Sequence, residues 1–338
     1  MLIIGAGKIG VAIQHDLLRN GIDARICDVV EKDLPNFFRL DARDTSLLIR
    51  EMKGEDVVIS ALPYDFNYKL AKLAIKTKTN FIDLGGNSGI VEKELALHNE
   101  AKKAGITIIP DCGLAPGMSN IVAYHLWEHG GRKIHIRVGG LPLHPEPPLN
   151  YALVFSVHGL INEYVEDAII VENGAIRTVE SLTGLEEIEI NGKRYEAFYT
   201  HGGTSTLPKT LHGVKELDYK TIRYKGHCEK ILLLKQLGFF ENEARQFTEK
   251  ILEKALPKDA EDFVVAKIYS ESMEAILYDR HDGVFTAMQR TTAFPTAIIA
   301  NMIGSGAIEK GAYPPELAID FEKFMEELRK RSIEWKLK

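Results

Sequence analysis

Three glycines spaced as Gly5-Ala6-Gly7-Lys8-Ile9-Gly10 follow an apolar run, Leu2-Ile3-Ile4, and open a helical pattern through Ile9, Ala12, Ile13 and Leu17. Residues of this type at this spacing can hold a pyrophosphate. Gly5 permits a tight turn, Gly7 lets backbone approach phosphate, and Gly10 lets the helix pack close on the strand. Lys8 and Ile9 belong to the same turn. The free N–H groups and positive end of the helix complete an anion site. A carboxylate, Asp28, follows a second strand-like segment, Ile22–Cys27, 18 residues after Gly10. There it bonds a ribose 2′-hydroxyl and repels a 2′-phosphate, which points to NAD as the cofactor. A glycine turn that binds nothing is the plain alternative. The strand–turn–helix context and the acid speak against it.

Other candidate residues lie where apolar runs end, because open parallel sheets bind ligands outside the carboxyl ends of their strands. Asp41 ends the third run. Ala61-Leu62-Pro63 ends the fourth, Gly85-Gly86-Asn87 the fifth, and Asp111-Cys112-Gly113-Leu114-Ala115-Pro116-Gly117 the sixth. In that last loop Asp111 can meet a substrate amine or hydroxyl, or serve only as a turn carboxylate. Pro116 suits the first turn of the helix that follows. Further on, Arg223-Tyr224-Lys225-Gly226-His227 offers a guanidinium fork for a carboxylate and an imidazole base near neutral pH. A surface ion pair for Arg223 and a packing role for His227 are the commoner outcomes for such residues. Thr204 lies in a polar glycine loop, Gly202–Thr206, and is a candidate substrate contact.

The positioning elements alternate in the first third. Runs at 37–40, 56–61, 80–84 and 106–110 read as strands, and 45–53, 66–76 and 91–104 as helices. This alternation predicts a Rossmann-type doubly wound parallel sheet. A helix over 115–128 leads into alternating segments at 134–138, 152–156, 168–171, 175–179, 188–190, 194–198, 221–222, 263–270 and 273–278, with Asn-Gly hairpin signals at 173–174 and 191–192. The second domain is therefore α+β with a largely antiparallel, mixed sheet. Helices at 292–303 and 315–330 close the chain. The expected division is 1–118 for the nucleotide domain and 119–291 for the second, with 292–338 returning at least in part to the first.

At 338 residues the chain suits about two domains. Its net charge of −6, with Lys and Arg dispersed, points away from nucleic acid. No apolar run approaches the ~18 residues of a membrane span. Met1 runs straight into the first strand, so no signal peptide is expected, and Cys27, Cys112 and Cys228 form no disulfide framework. These features predict a cytoplasmic protein. The histidines His125, His129, His135, His144, His158, His201 and His212 show no zinc spacing, and no metal is predicted.

The ordered set GAGKIG, Ala61-Leu62-Pro63, Asp111-x-Gly113-x-x-Pro116-Gly117-x-Ser119-Asn120 and Arg223-Tyr224-x-Gly226-His227 resembles the saccharopine dehydrogenase-like family. The resemblance implies a homodimer formed through the second domain's sheet. It also implies oxidation of a C–N single bond by hydride transfer to a nicotinamide. His227 and the chain's length fit the branch that oxidises the ε-amine of L-lysine, with a small amino acid as partner, Asp111 or His227 as base, and Arg223, Tyr224, Thr204, Asn87 and Gly113 against the substrate. Oxidation of saccharopine or carboxynorspermidine is the alternative within the family. A non-catalytic NAD-binding regulator is the alternative outside it.

Overall fold

The structure, a computed structural model, describes residues 1–258 and 260–338. The chain forms two compact units. One comprises Met1–Ile121 with Gln289–Ile333, the other Val122–Met288 with Glu334–Lys338. The chain thus passes to the second unit inside the helix Met118–Glu128 and returns inside the helix Ala287–Gly304.

In the first unit β1 (Leu2–Ile4), β2 (Arg25–Asp28), β3 (Phe37–Arg39), β4 (Val57–Ser60), β5 (Asn80–Asp83) and β6 (Thr107–Ile109) pair in parallel. β1, β4 and β6 are buried throughout, as a sheet covered on both faces requires. The order β6-β5-β4-β1-β2-β3 places a topological switch between β1 and β4. At a switch the flanking loops diverge and leave a crevice. A short strand from the returning segment, Gly311–Ala312, adds to β6 in parallel. A two-residue pair is too short to show a strand period in the sequence. Asp16 on the first helix and Arg331, both almost fully buried, pair at 2.9 Å and tie the returning segment down. Removing one partner of such a pair costs about 3–5 kcal/mol.

The second unit carries β7 (Lys133–Pro142), β8 (Ala168–Glu172), β9 (Ala175–Val179), β10 (Glu186–Ile190), β11 (Lys193–Tyr199), β12 (Glu216–Arg223), β13 (Asp262–Tyr269) and β14 (Glu274–Arg280). With the returning pair counted as β15, a last strand, β16 (Trp335–Leu337), joins this sheet beside β14. The sheet is mixed. β7 and β12 run parallel, and the other pairs are antiparallel. Both Asn-Gly pairs sit in tight hairpins with positive φ at each residue, 52° and 78° at Asn173-Gly174 and 52° and 73° at Asn191-Gly192. That is the conformation a type I′ turn demands. One face of the sheet is covered by the helices Val157–Val165, His227–Gln236 and Asn242–Ala255, whose Leu160, Ile161, Ile231 and Leu252 pack with Phe198. A second apolar cluster joins Leu141, Tyr195, Ile222 and Phe263.

Several expected elements differ. The helix expected over 91–104 is two helices, Ser88–Leu95 and His98–Ala104. The break at Ala96-Leu97 turns Leu97 into the core and lets His98 Nδ1 meet the carbonyl of Ala312. The helix expected from 115 begins at Met118, so Pro116 lies in the preceding loop rather than in a first turn. That loop folds back until Met118 N–H reaches the carbonyl of Gly113 at 2.8 Å. Segment 152–156 is no strand. Tyr151 and Leu153 turn into the helical core, and Ser156 caps the next helix by accepting from Gly159 N–H. The last helix is split into Pro315–Ala318 and Phe321–Lys330, the second capped by Asp320. Among the described residues no helix is long and apolar enough to cross a membrane, and no group of three or more His, Cys, Asp or Glu could hold a metal ion.

Candidate functional site

The glycine turn has the geometry its spacing predicts. Gly5 has φ +107°, and a Cβ there would lie 2.7 Å from the carbonyl oxygen of Ala61. A Cβ on Gly10 would lie 1.9 Å from the carbonyl oxygen of Gly5. Around Gly7, the N-cap of the helix Lys8–Arg19, no atom comes within 4 Å of a Cβ position. Two glycines are therefore fixed by protein packing, and the third faces open space. That difference is what a dinucleotide cradle requires. Asp28 reaches back to the turn, accepting from Ala6 N–H at 2.8 Å with one oxygen and from Val30 N–H at 3.0 Å with the other. Ala61 N–H donates to Ile4 O, which brings the Ala61-Leu62-Pro63 loop against Gly5 across the switch. Lys8 and Ile9 begin the helix, and Gln289 donates to the Lys8 carbonyl. Asp41 ends up in a bidentate pair with Arg43, which holds its carboxyl down at about 2.

At the ends of β5 and β6 three carboxylates are buried together: Asp83, Glu94 and Asp111. Asp111 has φ +60°, and its Oδ1 occupies the space a side chain on Gly85 would need, 1.7 Å from that Cβ position. Asp83 Oδ1 accepts from Gly85 N–H at 2.6 Å and from Asp111 N–H at 3.4 Å, so it fixes both loops. Burial pushes Asp83 and Glu94 upward. Glu94 is pushed further, because the carboxylates of Asp83 and Asp111 face it. Glu94 therefore keeps its proton at neutral pH. Asn87 caps the helix Ser88–Leu95 by accepting from Ile90 N–H, and Gly113 pairs with Gly117 inside its loop.

In the second unit Arg223 ends β12 and is 3% exposed. Its Nη1 donates to Thr221 Oγ1 at 2.7 Å and to the carbonyl of Ile222 at 3.0 Å. Its Nε and Nη2 are held loosely, by Tyr164 Oη and Glu163 Oε2, each at 3.4 Å. The ring of Tyr151 lies 4.8 Å from the guanidinium carbon. His227 is inside this cluster. Its Nδ1 lies 2.9 Å from the carbonyl of Leu149, so Nδ1 carries the proton, and Nε2 accepts from Tyr164 Oη at 2.9 Å. Burial and the neighbouring Arg223 push its pKa down to about 3. His227 is thus a neutral, buried hydrogen-bonding ring, and the expected imidazole base near neutral pH is corrected. Tyr224 is corrected too. It follows Arg223 directly, so it faces the opposite side of the sheet, where its hydroxyl donates to the Pro142 carbonyl. The tyrosines at Arg223 are Tyr151 and Tyr164. Thr204 donates to the carbonyl of Ile169 and is buried.

Comparison with known proteins then decides the family. Residues 1–109 match the saccharopine dehydrogenase NADP binding domain and residues 113–333 the saccharopine dehydrogenase C-terminal domain. The chain belongs to the saccharopine dehydrogenase family. Saccharopine dehydrogenase [NADP(+), L-glutamate-forming] of Saccharomyces cerevisiae is 31% identical over 229 residues, which is 62% of this chain and 50% of that protein. The Arabidopsis thaliana alpha-aminoadipic semialdehyde synthase is 27% identical over 62% of this chain and 21% of its own. The chain spans about half the length of the first curated relatives it matches. In structure, the apo saccharopine dehydrogenase (L-Glu forming) of Saccharomyces cerevisiae superposes with a TM-score of 0.78 at 20% identity, over 100% of this chain and 98% of that one. The homospermidine synthase of Legionella pneumophila, in complex with NAD, superposes at 0.71 and 13% identity, over 100% and 90%. Both share the fold. The first unit is an NAD(P)-binding domain.

Sequence reasoning missed Glu94, Glu163, Tyr151 and Tyr164. Two of them left a signal. Glu94 stands three residues after Val91, on the stripe a core residue should occupy, and Glu163 interrupts the apolar helix Val157–Val165.

Two predictions follow from this geometry. Gly7→Ala keeps the stability of the ligand-free protein but weakens dinucleotide binding more than tenfold, whereas Gly10→Ala lowers stability by about 1–3 kcal/mol. Thermal unfolding with and without cofactor reads both, and equal effects at the two positions would contradict the cradle. Glu94→Gln tests the buried proton. An acid whose folded-state pKa lies above its ordinary 4.5 loses stability as pH rises past that value, because the unfolded chain releases a proton the native state keeps. The slope is at most about 1.4 kcal/mol per pH unit. The neutral Gln removes it, so the variant's melting temperature gains on wild type steadily from pH 5 to pH 8. Parallel curves would refute a protonated Glu94.

Proposed function

We propose that this chain is an NAD-dependent amine dehydrogenase that oxidises the ε-carbon–nitrogen bond of L-lysine and releases ammonia. The observation that carries the reading is the state of the buried cations in the second unit. Among the described residues these are Arg137, Lys220 and Arg223. Arg137 is committed to Asp218 and Glu186, and Lys220 to Glu186. Arg223 alone offers an edge, Nε and Nη2, whose present acceptors are long. One such edge suits one carboxylate in a fork. That fits lysine better than saccharopine, which carries three.

The Gly5–Gly10 turn would hold the pyrophosphate and Asp28 the ribose hydroxyls, and the carboxylate of Asp28 disfavours a 2′-phosphate. A nicotinamide bound there supplies the hydride acceptor. An ammonium cannot release hydride, and a lysine amine is mostly protonated at neutral pH, with a reference pKa of ~10.4. A base is therefore needed. We assign Asp111, at the strand end where ligands of open sheets bind, and not His227. After loss of the proton and hydride the substrate carbon–nitrogen bond is an imine. Water hydrolyses it, ammonia leaves, and the aldehyde closes on the α-amine.

A second reading, saccharopine oxidation with NADP, is favoured by the names of the relatives above. One assay separates the two. L-lysine with NAD should give NADH, ammonia and a cyclic imine, with catalytic efficiency for NADP lower at least tenfold and the gap narrowed in Asp28→Ala. Reduction only with saccharopine, with glutamate released and NADP preferred, would overturn the proposal.

A further inference from the structure

The helix Val157–Val165 buries Leu160, Ile161 and Tyr164, and yet it carries Glu163 on its way past Arg223. Unlike the arginine, which is 3% exposed, the Glu163 side chain keeps 30% of its surface open. Its Oε2 meets Arg223 Nη2 at 3.4 Å. We propose that Glu163 and Arg223 are the two halves of a receptor for the zwitterionic head of an α-amino acid: Arg223 takes the carboxylate and Glu163 the α-ammonium. This rests on the reading of the site as one for an amino acid, and it assigns Glu163 as the residue that sets specificity for the α-ammonium.

The resting pair supports the exchange. Both contacts on the Nε–Nη2 edge are at the long limit of hydrogen bonding, while both contacts of Nη1 are 3.0 Å or shorter. The edge is therefore the part of the guanidinium that can change partners at least cost. Glu163 is pushed up to about 7, because its partial withdrawal from water outweighs the attraction of Arg223. A carboxylate so poorly compensated gains from a second cation. An incoming α-amino acid replaces one long ion pair by two. The carboxylate takes the Arg223 edge from Tyr164 and Glu163, and the released Glu163 finds an ammonium on the adjacent carbon. No charge is left alone, which matters because an unpaired charge withdrawn from water is strongly disfavoured. A ligand with the carboxylate but no ammonium leaves Glu163 beside a second negative charge. Discrimination then comes from repulsion as well as attraction.

L-Norleucine tests this without chemistry, since it has the zwitterionic head and no ε-amine to oxidise. Its binding to the NAD-saturated full chain is compared with that of hexanoate by calorimetry. Wild type should bind L-norleucine at least 30-fold more tightly, the size of one charge-assisted hydrogen bond with its attendant repulsion. Glu163→Gln should reduce that ratio to below threefold by weakening L-norleucine, with its melting temperature recorded to confirm folding. Glu163→Asp, which keeps the charge but shortens the reach, should give an intermediate ratio and serves if the Gln variant does not fold. In lysine turnover Glu163→Gln should raise KM about 30-fold with kcat within threefold. A ratio unchanged by both variants overturns the receptor, and so does a loss confined to kcat, which would make Glu163 a base. Absence of NADH from L-lysine, with the L-norleucine preference intact, overturns the lysine reading and leaves the receptor standing. Binding of neither ligand to wild type overturns both.

Discussion

A guanidinium withdrawn from water must be surrounded by acceptors, and the packing around Arg223 follows from that need. Thr221 and the Ile222 carbonyl satisfy one nitrogen. Tyr164 accepts from a second and donates its own hydroxyl hydrogen bond to His227 Nε2, and the Nδ1–H of His227 in turn donates to the carbonyl of Leu149. One buried charge thus orients a tyrosine, a histidine and the loop ahead of the helix Val157–Val165. The chain of polarised bonds also explains the neutral His227. An imidazolium there would stand against a guanidinium with no carboxylate of its own. Removing Arg223 would unsettle every member, so loss of activity in an Arg223 variant is informative only beside a measurement of stability.

The first unit meets the same problem with the sign reversed. Asp83, Glu94 and Asp111 are buried together, and burial pushes Asp83 and Glu94 upward, Glu94 further because two carboxylates face it. Keeping the proton on Glu94 is the cheap solution, since a neutral acid does not repel the neighbouring carboxylates as a further anion would. Asp83 is then free to bind Gly85 and Asp111 N–H groups and hold two strand-end loops in register. The loops that carry chemistry in an open sheet are seldom rigid by themselves. Here the buried Asp83 ties two of them together through their N–H groups.

The nucleotide half was the more legible in sequence. Its signals are local. Three glycines, an apolar strand and an acid at a fixed distance specify a turn whatever the rest of the chain does, and the Asn-Gly pairs specify hairpins in the same way. The second half depends on which face a residue takes. Arg223 and Tyr224 are neighbours in sequence, yet the two-residue period of a strand sends them to opposite sides. His227 has the right residue type for a base, and only its burial beside a guanidinium removes that role. Glu163 and Glu94 stand at positions where an amphipathic helix should be apolar. That anomaly can be read from the sequence, but the partner each one faces comes from segments distant in the chain.

On the proposed reading, Arg223 anchors the substrate carboxylate. A crystal structure of the protein with NAD and L-lysine tests it most directly. The α-carboxylate is expected on Arg223 Nε and Nη2, with Glu163 and Tyr164 displaced from that edge and His227 still bonded to Leu149. A lysine carboxylate bound elsewhere, with the four contacts of Arg223 unchanged, would contradict it.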